Sequence, residues 1–211
     1  MKRILLIHSS LFGDDSASTE IAQTLVKRLI RENPGSQLTT VDLAREAPSH
    51  LGAEEFNSWA IEADERDAAQ QALARISDSL IEQLLSHDIL VMAVPMYNLG
   101  IPSTLKAWID RVARAGKTFA YTSDGPRGLV QGMRAYLVLS RGGMYRGTPL
   151  DTQTGYLNSV LGLMGVTDVE TIFAEGLNMG GGARQKSIEA AMAQVRELSI
   201  NENEAYEYAA A

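Results

Sequence analysis

The chain has 211 residues, 45% of them hydrophobic, enough for one sizeable core, and the expectation is a single domain over 1–211. Its 19 basic and 26 acidic residues give a net charge of −7 without a basic stripe, which argues against a nucleic-acid partner. Cysteine is absent, so disulfides, thiolate metal sites and cysteine nucleophiles are excluded, and any redox chemistry needs a cofactor.

The amino-terminal MKRILLIHSS carries two positive charges before an apolar run too short for a signal-peptide core or a membrane span. The expected compartment is therefore the cytoplasm, with no membrane partner. Residues 4–7 are apolar without alternation, the pattern of a central parallel strand covered on both faces, and 89–94 and 135–139 repeat it. Residues 37–43 and 169–173 mix polar and apolar positions, as strands nearer the sheet edges do. Helical stripes lie between them: Ile21, Leu25, Val26, Leu29 and Ile30, then Ala69, Ala72, Leu73, Ile76 and Leu84. Leu105, Ile109 and Val112 form a third stripe, and Ile188, Ala191, Met192, Val195 and Leu198 a fourth. This alternation predicts an α/β fold, a doubly wound five-stranded parallel sheet with helices on both faces and right-handed crossovers.

Two stretches exceed what that alternation requires. Residues 44–68, acidic and alanine-rich but carrying Phe56 and Trp59, lengthen the second crossover, and 115–133 place Phe119 and Tyr121 before a Ser123-Asp124-Gly125-Pro126 turn signal. Residues 201–211 are polar and without period, so fraying is expected there.

The chemistry gathers at three strand ends, where ligands sit in open α/β sheets. The run 89–106, ILVMAVPMYNLGIPSTLK, stops being apolar at Pro95, opens into Met96, Tyr97, Asn98 and Leu99, and restarts as a helix after Gly100 and Pro102. Such a loop can offer backbone N–H groups and the Asn98 amide to the edge of a flat heterocycle, with Met96 and Tyr97 as apolar cover. The first strand runs into HSSLFGDDSAST, whose hydroxyls Ser9, Ser10, Ser16, Ser18 and Thr19 precede or open a helix. Gly13 is its only glycine, so neither a dinucleotide fingerprint nor a nucleoside-triphosphate loop is present; helix-terminal amides and neutral hydroxyls suit a terminal monophosphate instead. Read alone, Ser16 or Ser18 is an ordinary helix cap. After the fourth strand, Ser140, Arg141, Gly142 and Gly143 permit close backbone approach, and the glycine amides can stabilise negative charge on a ring. His8, His50 and His87 share no ligand spacing, so no metal site is expected, and His8 in or beside a buried strand reads as a satisfied structural histidine.

HSSLFGDDSAS, PMYNLGIPSTLKAWIDRVARAG, TFAYTSDGPRGLV and SRGG together resemble the motifs of the FMN-dependent NADH azoreductases, which are also NAD(P)H:quinone oxidoreductases, in order over about residues 1–178. The resemblance implies a flavodoxin-like fold, noncovalent FMN, and NADH or NADPH as electron donor. It implies that Ser10, Ser16, Ala17 and Ser18 hold the phosphate. Met96, Tyr97, Asn98 and Leu99 would border the isoalloxazine, and Ser140, Arg141, Gly142 and Gly143 would meet its other edge. Leu99 and Ala17 stand where many relatives carry phenylalanine and glutamine, which bears on pocket shape more than on the backbone donors. The implied activity is reduction of quinones and azo compounds by ping-pong hydride transfer, with no side chain needed as catalytic acid or base. The implied assembly is a homodimer whose inserts, with Phe119, Tyr121 and Trp59, line the partner's substrate pocket. A flavodoxin-type electron carrier would use the same loops but leave the flavin edge open. A serine hydrolase lacks its G-x-S-x-G elbow here.

Overall fold

The computed structural model describes residues 1–200, so the fraying expected at 201–211 lies outside the described residues. In chain order the elements are β1 (Arg3–His8), a short 3-10 turn (Gly13–Asp15), α1 (Ala17–Glu32), β2 (Gln37–Asp42), α2 (Ala53–Ser58), α3 (Ala68–Leu85) and β3 (Ile89–Pro95). There follow α4 (Ser103–Val112), β4 (Phe119–Thr122), β5 (Gly125–Gly128), β6 (Arg134–Ser140), α5 (Thr152–Met164), β7 (Asp168–Ala174) and α6 (Ala183–Glu197). Five strands pair in parallel in the order β2-β1-β3-β6-β7. The chain moves outward from β1 to β2, then back past β1 to β3, so the direction of winding reverses between β1 and β3. Loops leaving that pair diverge and open a crevice at the carboxyl edge.

The side-chain period of 2 along each strand sorts the core into two layers. Leu5, Ile7, Met92 and Leu137 face one layer with Leu84 of α3, Trp108 of α4 and Leu157 of α5. Ile4, Leu6, Val91 and Val138 face the other, with Leu25 of α1 and Val195 of α6. Both faces are thus covered, which is why the central strands read as unbroken apolar runs; each such side chain contributes roughly 1.5–3 kcal/mol by leaving water. Helix ends are set locally. Asp67 accepts the Gln70 N–H at 2.8 Å while Gln70 Oε1 accepts the Asp67 N–H at 3.0 Å, a reciprocal cap that starts α3. α5, for which the sequence shows no stripe, is capped by Asp151 at its start and stopped by Gly165 at φ 98°.

The two inserts take defined positions. The first carries α2, bolted to α4 by a buried ion pair: Arg111 Nε and Nη2 donate to Glu55 Oε1 and Oε2 at 2.8 and 2.6 Å. Just beyond α4, Arg114 donates to Asp78 Oδ1 at 2.7 Å and stands 5.0 Å over the Trp59 ring, which packs against Phe56 at 5.4 Å. The second insert is the antiparallel β4–β5 hairpin. A Cβ on Gly128 would fall 2.2 Å from the Gly165 backbone, and Val130 N–H donates to Met164 O at 2.9 Å, so only glycine lets the hairpin seat on the end of α5. Gly165 precedes β7 and Arg114 follows α4, so the hairpin and the Trp59 end of the first insert sit toward the amino-terminal edge of the sheet, whereas His50, earlier in that insert, lines a pocket with Gly100, Ile101 and Thr152 beside the second loop. Among the described residues, no helix is long and apolar enough to cross a membrane.

Candidate active site

Parallel register brings the ends of β1, β3 and β6 level: His8 pairs with Ala93, and Pro95 with Ser140. Between the loops that follow lies a cleft of about 210 Å³. Ser10, Ser16 and Ala17 line it from the first loop, Met96 and Tyr97 from the second, and Ser140, Arg141 and Gly142 from the third. Ser18, Asn98, Leu99 and Gly143 flank these residues in sequence without lining the cleft themselves.

The first loop is stitched to the second through one phenol. Leu11 N–H donates to Tyr97 Oη at 3.1 Å, Ser10 Oγ lies 3.3 Å from the same atom, and Phe12 N–H donates to Ser10 Oγ at 3.2 Å. Ser9 is spent structurally, its hydroxyl donating to Ala93 O at 2.8 Å. Ser16 is the α1 cap by position but makes no side-chain capping bond. Its hydroxyl instead lies 3.0 Å from that of Ser18, while the first-turn amides lack helical acceptors. Thr19 Oγ1 is buried without a partner. A cluster of hydroxyls that declines to cap its own helix, beside amides that need an acceptor, fits an anion better than it fits a plain cap.

The second loop is a tight turn. Tyr97 and Gly100 exchange N–H···O bonds of 3.0 and 2.9 Å around Asn98 at φ 50° and Leu99 at φ 68°. A leucine in the left-handed region is strained, and such strain concentrates at binding sites. In the third loop Arg141 N–H donates to Ala174 O, but the Gly142 and Gly143 amides have no acceptor among the described residues. The Arg141 side chain is not available to a ligand. Its guanidinium is fully buried and donates to Gln153, Asp151, Thr154 and Glu175 at 3.2, 2.7, 2.6 and 3.1 Å, so only its backbone borders the cleft. Burial, the largest single influence, pushes the Asp151 carboxyl up, but the hydrogen bonds from Arg141 and Thr154 and the Arg141 charge together hold it below its ordinary range.

Three lining residues stand in no sequence motif: Leu177 and Asn178 after β7, and Arg184 at the start of α6. The mixed pattern of β7 marks an edge strand, and nothing in the sequence distinguishes the loop that follows it. Trp59, Phe119 and Tyr121 are not brought to the cleft of their own chain; the hairpin pair Phe119–Tyr121 meets edge to face at 5.4 Å at the far end of the sheet. His8 differs from expectation, since its Nδ1 is buried without a partner and desolvation lowers its pKa despite Asp42 and Asp14.

Gly142 tests the third loop. A Cβ there would come within 2.7 Å of Asn178 Nδ2, so Gly142→Val should displace a cleft-lining side chain and weaken ligand binding while leaving the two core layers untouched. Wild-type ligand affinity in that variant would remove the loop from the site.

Residues 2–198 match a family described as having a flavodoxin-like fold. An FMN-dependent NADH:quinone oxidoreductase 2 of Pseudomonas fluorescens strain Pf-5 is 46% identical over 199 residues, covering 94% of this chain and 100% of that one. An FMN-dependent NADH:quinone oxidoreductase of Pseudoalteromonas atlantica is 47% identical over 180 residues, 85% of this chain and 89% of its own. The crystal structure of an azoreductase from Bacillus anthracis strain Sterne superposes with a TM-score of 0.84 at 27% identity, covering 92% of this chain and 97% of that one.

Proposed function

We propose, for a chain that belongs to the flavodoxin-like fold family, the activity of an FMN-dependent NADH:quinone oxidoreductase that also reduces azo compounds. The observation that carries this reading is the meeting of hydrogen-bonding groups in one crevice: first-turn α1 amides beside the Ser16 hydroxyl at one end, the Gly142 amide, without an acceptor among the described residues, at the other. The residues fit FMN. Ser10, Ser16, Ala17 and Ser18 would hold its phosphate, Met96, Tyr97, Asn98 and Leu99 one border of the ring, and Ser140, Gly142, Gly143 and the Arg141 backbone the other. FMN when bound supplies the two-electron chemistry between nicotinamide and acceptor. The chain's own part is to orient the ring, to exclude water from it and to aim the glycine amides where negative charge gathers. No side chain of the cleft is assigned as catalytic acid or base, since water can protonate a reduced quinone or azo product.

Denatured protein should release FMN identifiable by chromatography; release of FAD, or no binding after reconstitution, would refute the cofactor. With one crevice serving both substrates, nicotinamide and acceptor take turns. Double-reciprocal plots for NADH at several fixed quinone concentrations should therefore run parallel, and NADH alone should bleach the yellow protein. Intersecting lines would require room for both substrates together.

The assembly proposed is a homodimer. Trp59, Phe119 and Tyr121 lie at the amino-terminal edge, about seven strand residues or roughly 23 Å from their own crevice, and Tyr121 is 77% exposed. Only a second copy, turned end for end, can bring that hairpin over a crevice. Light scattering on the active enzyme should give twice the chain mass. The compartment proposed is the cytoplasm, where NADH is made and consumed.

A further inference from the structure

α5 begins with two side chains that reach out of the helix into the loops framing the crevice. Gln153, its second residue, is completely buried. Its Nε2 donates to Pro95 O at 3.0 Å, where β3 gives way to the second loop. Its Oε1 accepts from Arg141 Nε at 3.2 Å in the third loop. Thr152, one residue earlier, donates its hydroxyl to Leu99 O inside the strained turn. The other Arg141 donors grip Asp151, Thr154 and Glu175, and Glu175 Oε1 in turn accepts the Tyr145 and Arg146 N–H groups at 2.8 and 2.9 Å. A single buried amide therefore connects the two loops that border the ring in the FMN reading, and its neighbour holds the turn that one of them makes.

That turn needs holding. Asn98 at φ 50° tolerates the left-handed region, whereas Leu99 at φ 68° does not. Left to itself, a Tyr97-Asn98-Leu99-Gly100 segment would relax toward negative φ. The same relaxation would move the loop relative to the Gly142 and Gly143 amides. We propose that Gln153 and Thr152 are positioning residues: Gln153 fixes the spacing of the two ring-bordering loops, Thr152 keeps the Asn98–Leu99 turn in its left-handed form, and together they set FMN affinity and reduction potential. This rests on the FMN reading. Gln153 touches no substrate and is not assigned a chemical step; it acts through Pro95 and Arg141.

Gln153→Met keeps the volume and removes both hydrogen bonds. Titration of apoprotein with FMN should show affinity reduced about tenfold, the loss expected when a buried bond near a charge goes, and equilibrium reduction of the reconstituted holoprotein should show a shifted midpoint potential. Adding Leu99→Gly to a Thr152→Val variant should restore much of the affinity lost with that hydroxyl, because glycine adopts positive φ without a brace. Thr152→Val, on the helix surface, should weaken FMN in the same direction and serves if Gln153→Met does not fold. A lowered melting temperature with wild-type FMN affinity and potential would reduce Gln153 to a packing role and overturn the proposal. Absence of rescue by Leu99→Gly would overturn the claim about the turn. Failure of the wild-type apoprotein to bind FMN would instead refute the cofactor reading on which all of this stands.

Discussion

Replacing Ser16 and Ser18 together with alanine should weaken FMN binding by about a hundredfold or more. A hydrogen bond to a charged group contributes roughly 1.5–3 kcal/mol, so two of them lost to phosphate exceed two decades of affinity. The hydroxyls lie 3.0 Å apart, so they act as a pair, and the double variant should differ from the sum of the single ones. Stability should change little, because neither hydroxyl caps α1 and the backbone that starts the helix is untouched. Titration of apoprotein together with urea unfolding separates the two effects. Unchanged affinity would return both serines to a purely local role, and a large loss of stability would mean that they do hold the helix.

Glu55→Ala should lower unfolding free energy by about 3–5 kcal/mol, since it strands a cation that the fold has taken out of water. The Arg111 side chain is 0% exposed and that of Glu55 6%, so the change leaves a guanidinium in the interior without its counter-charge. Ser49 O and Ala107 O also accept from Arg111, at 2.5 and 3.1 Å, but neither carries its counter-charge. Replacing both partners with apolar residues of similar volume should cost much less than removing Glu55 alone, which identifies the stranded charge as the cause. Denaturant melts of the three proteins decide it; equal losses in the single and double variants would mean that lost packing, not charge, dominates.

The central strands were legible because both faces are covered, which forces contiguous apolar runs at β1, β3 and β6, and parallel pairing then places the chemistry at their carboxyl ends. α5 was not legible. Only Gln153, Leu157, Leu161 and Met164 are buried along it, and Gly155 and Gly162 dilute the pattern, so its remaining signals were Asp151 at the start and Gly165 at the end. With no period to mark α5, nothing in the sequence points to Gln153, whose partners stand 58 and 12 residues away. The partners of Arg141 are hidden for a related reason: Asp151 and Glu175, which match its charge, are brought to it only by tertiary structure. The Ser123-Asp124-Gly125-Pro126 turn was readable as a turn, but the strands around it are four residues each and one carries Pro126, too little for a period to register.

The separation of the hairpin from the crevice gives the proposed dimer a genetic signature. A Gly142→Val chain damages its crevice but keeps an intact hairpin to lend. A chain with Phe119 and Tyr121 both changed to alanine keeps its crevice but lends nothing. Each is expected to be inactive as a homodimer. Unfolded together and refolded as a mixture, they form some hybrid dimers in which the sound crevice of one chain receives the sound hairpin of the other, and activity returns from parents that have none. Complementation of this kind cannot arise if each chain completes its own site.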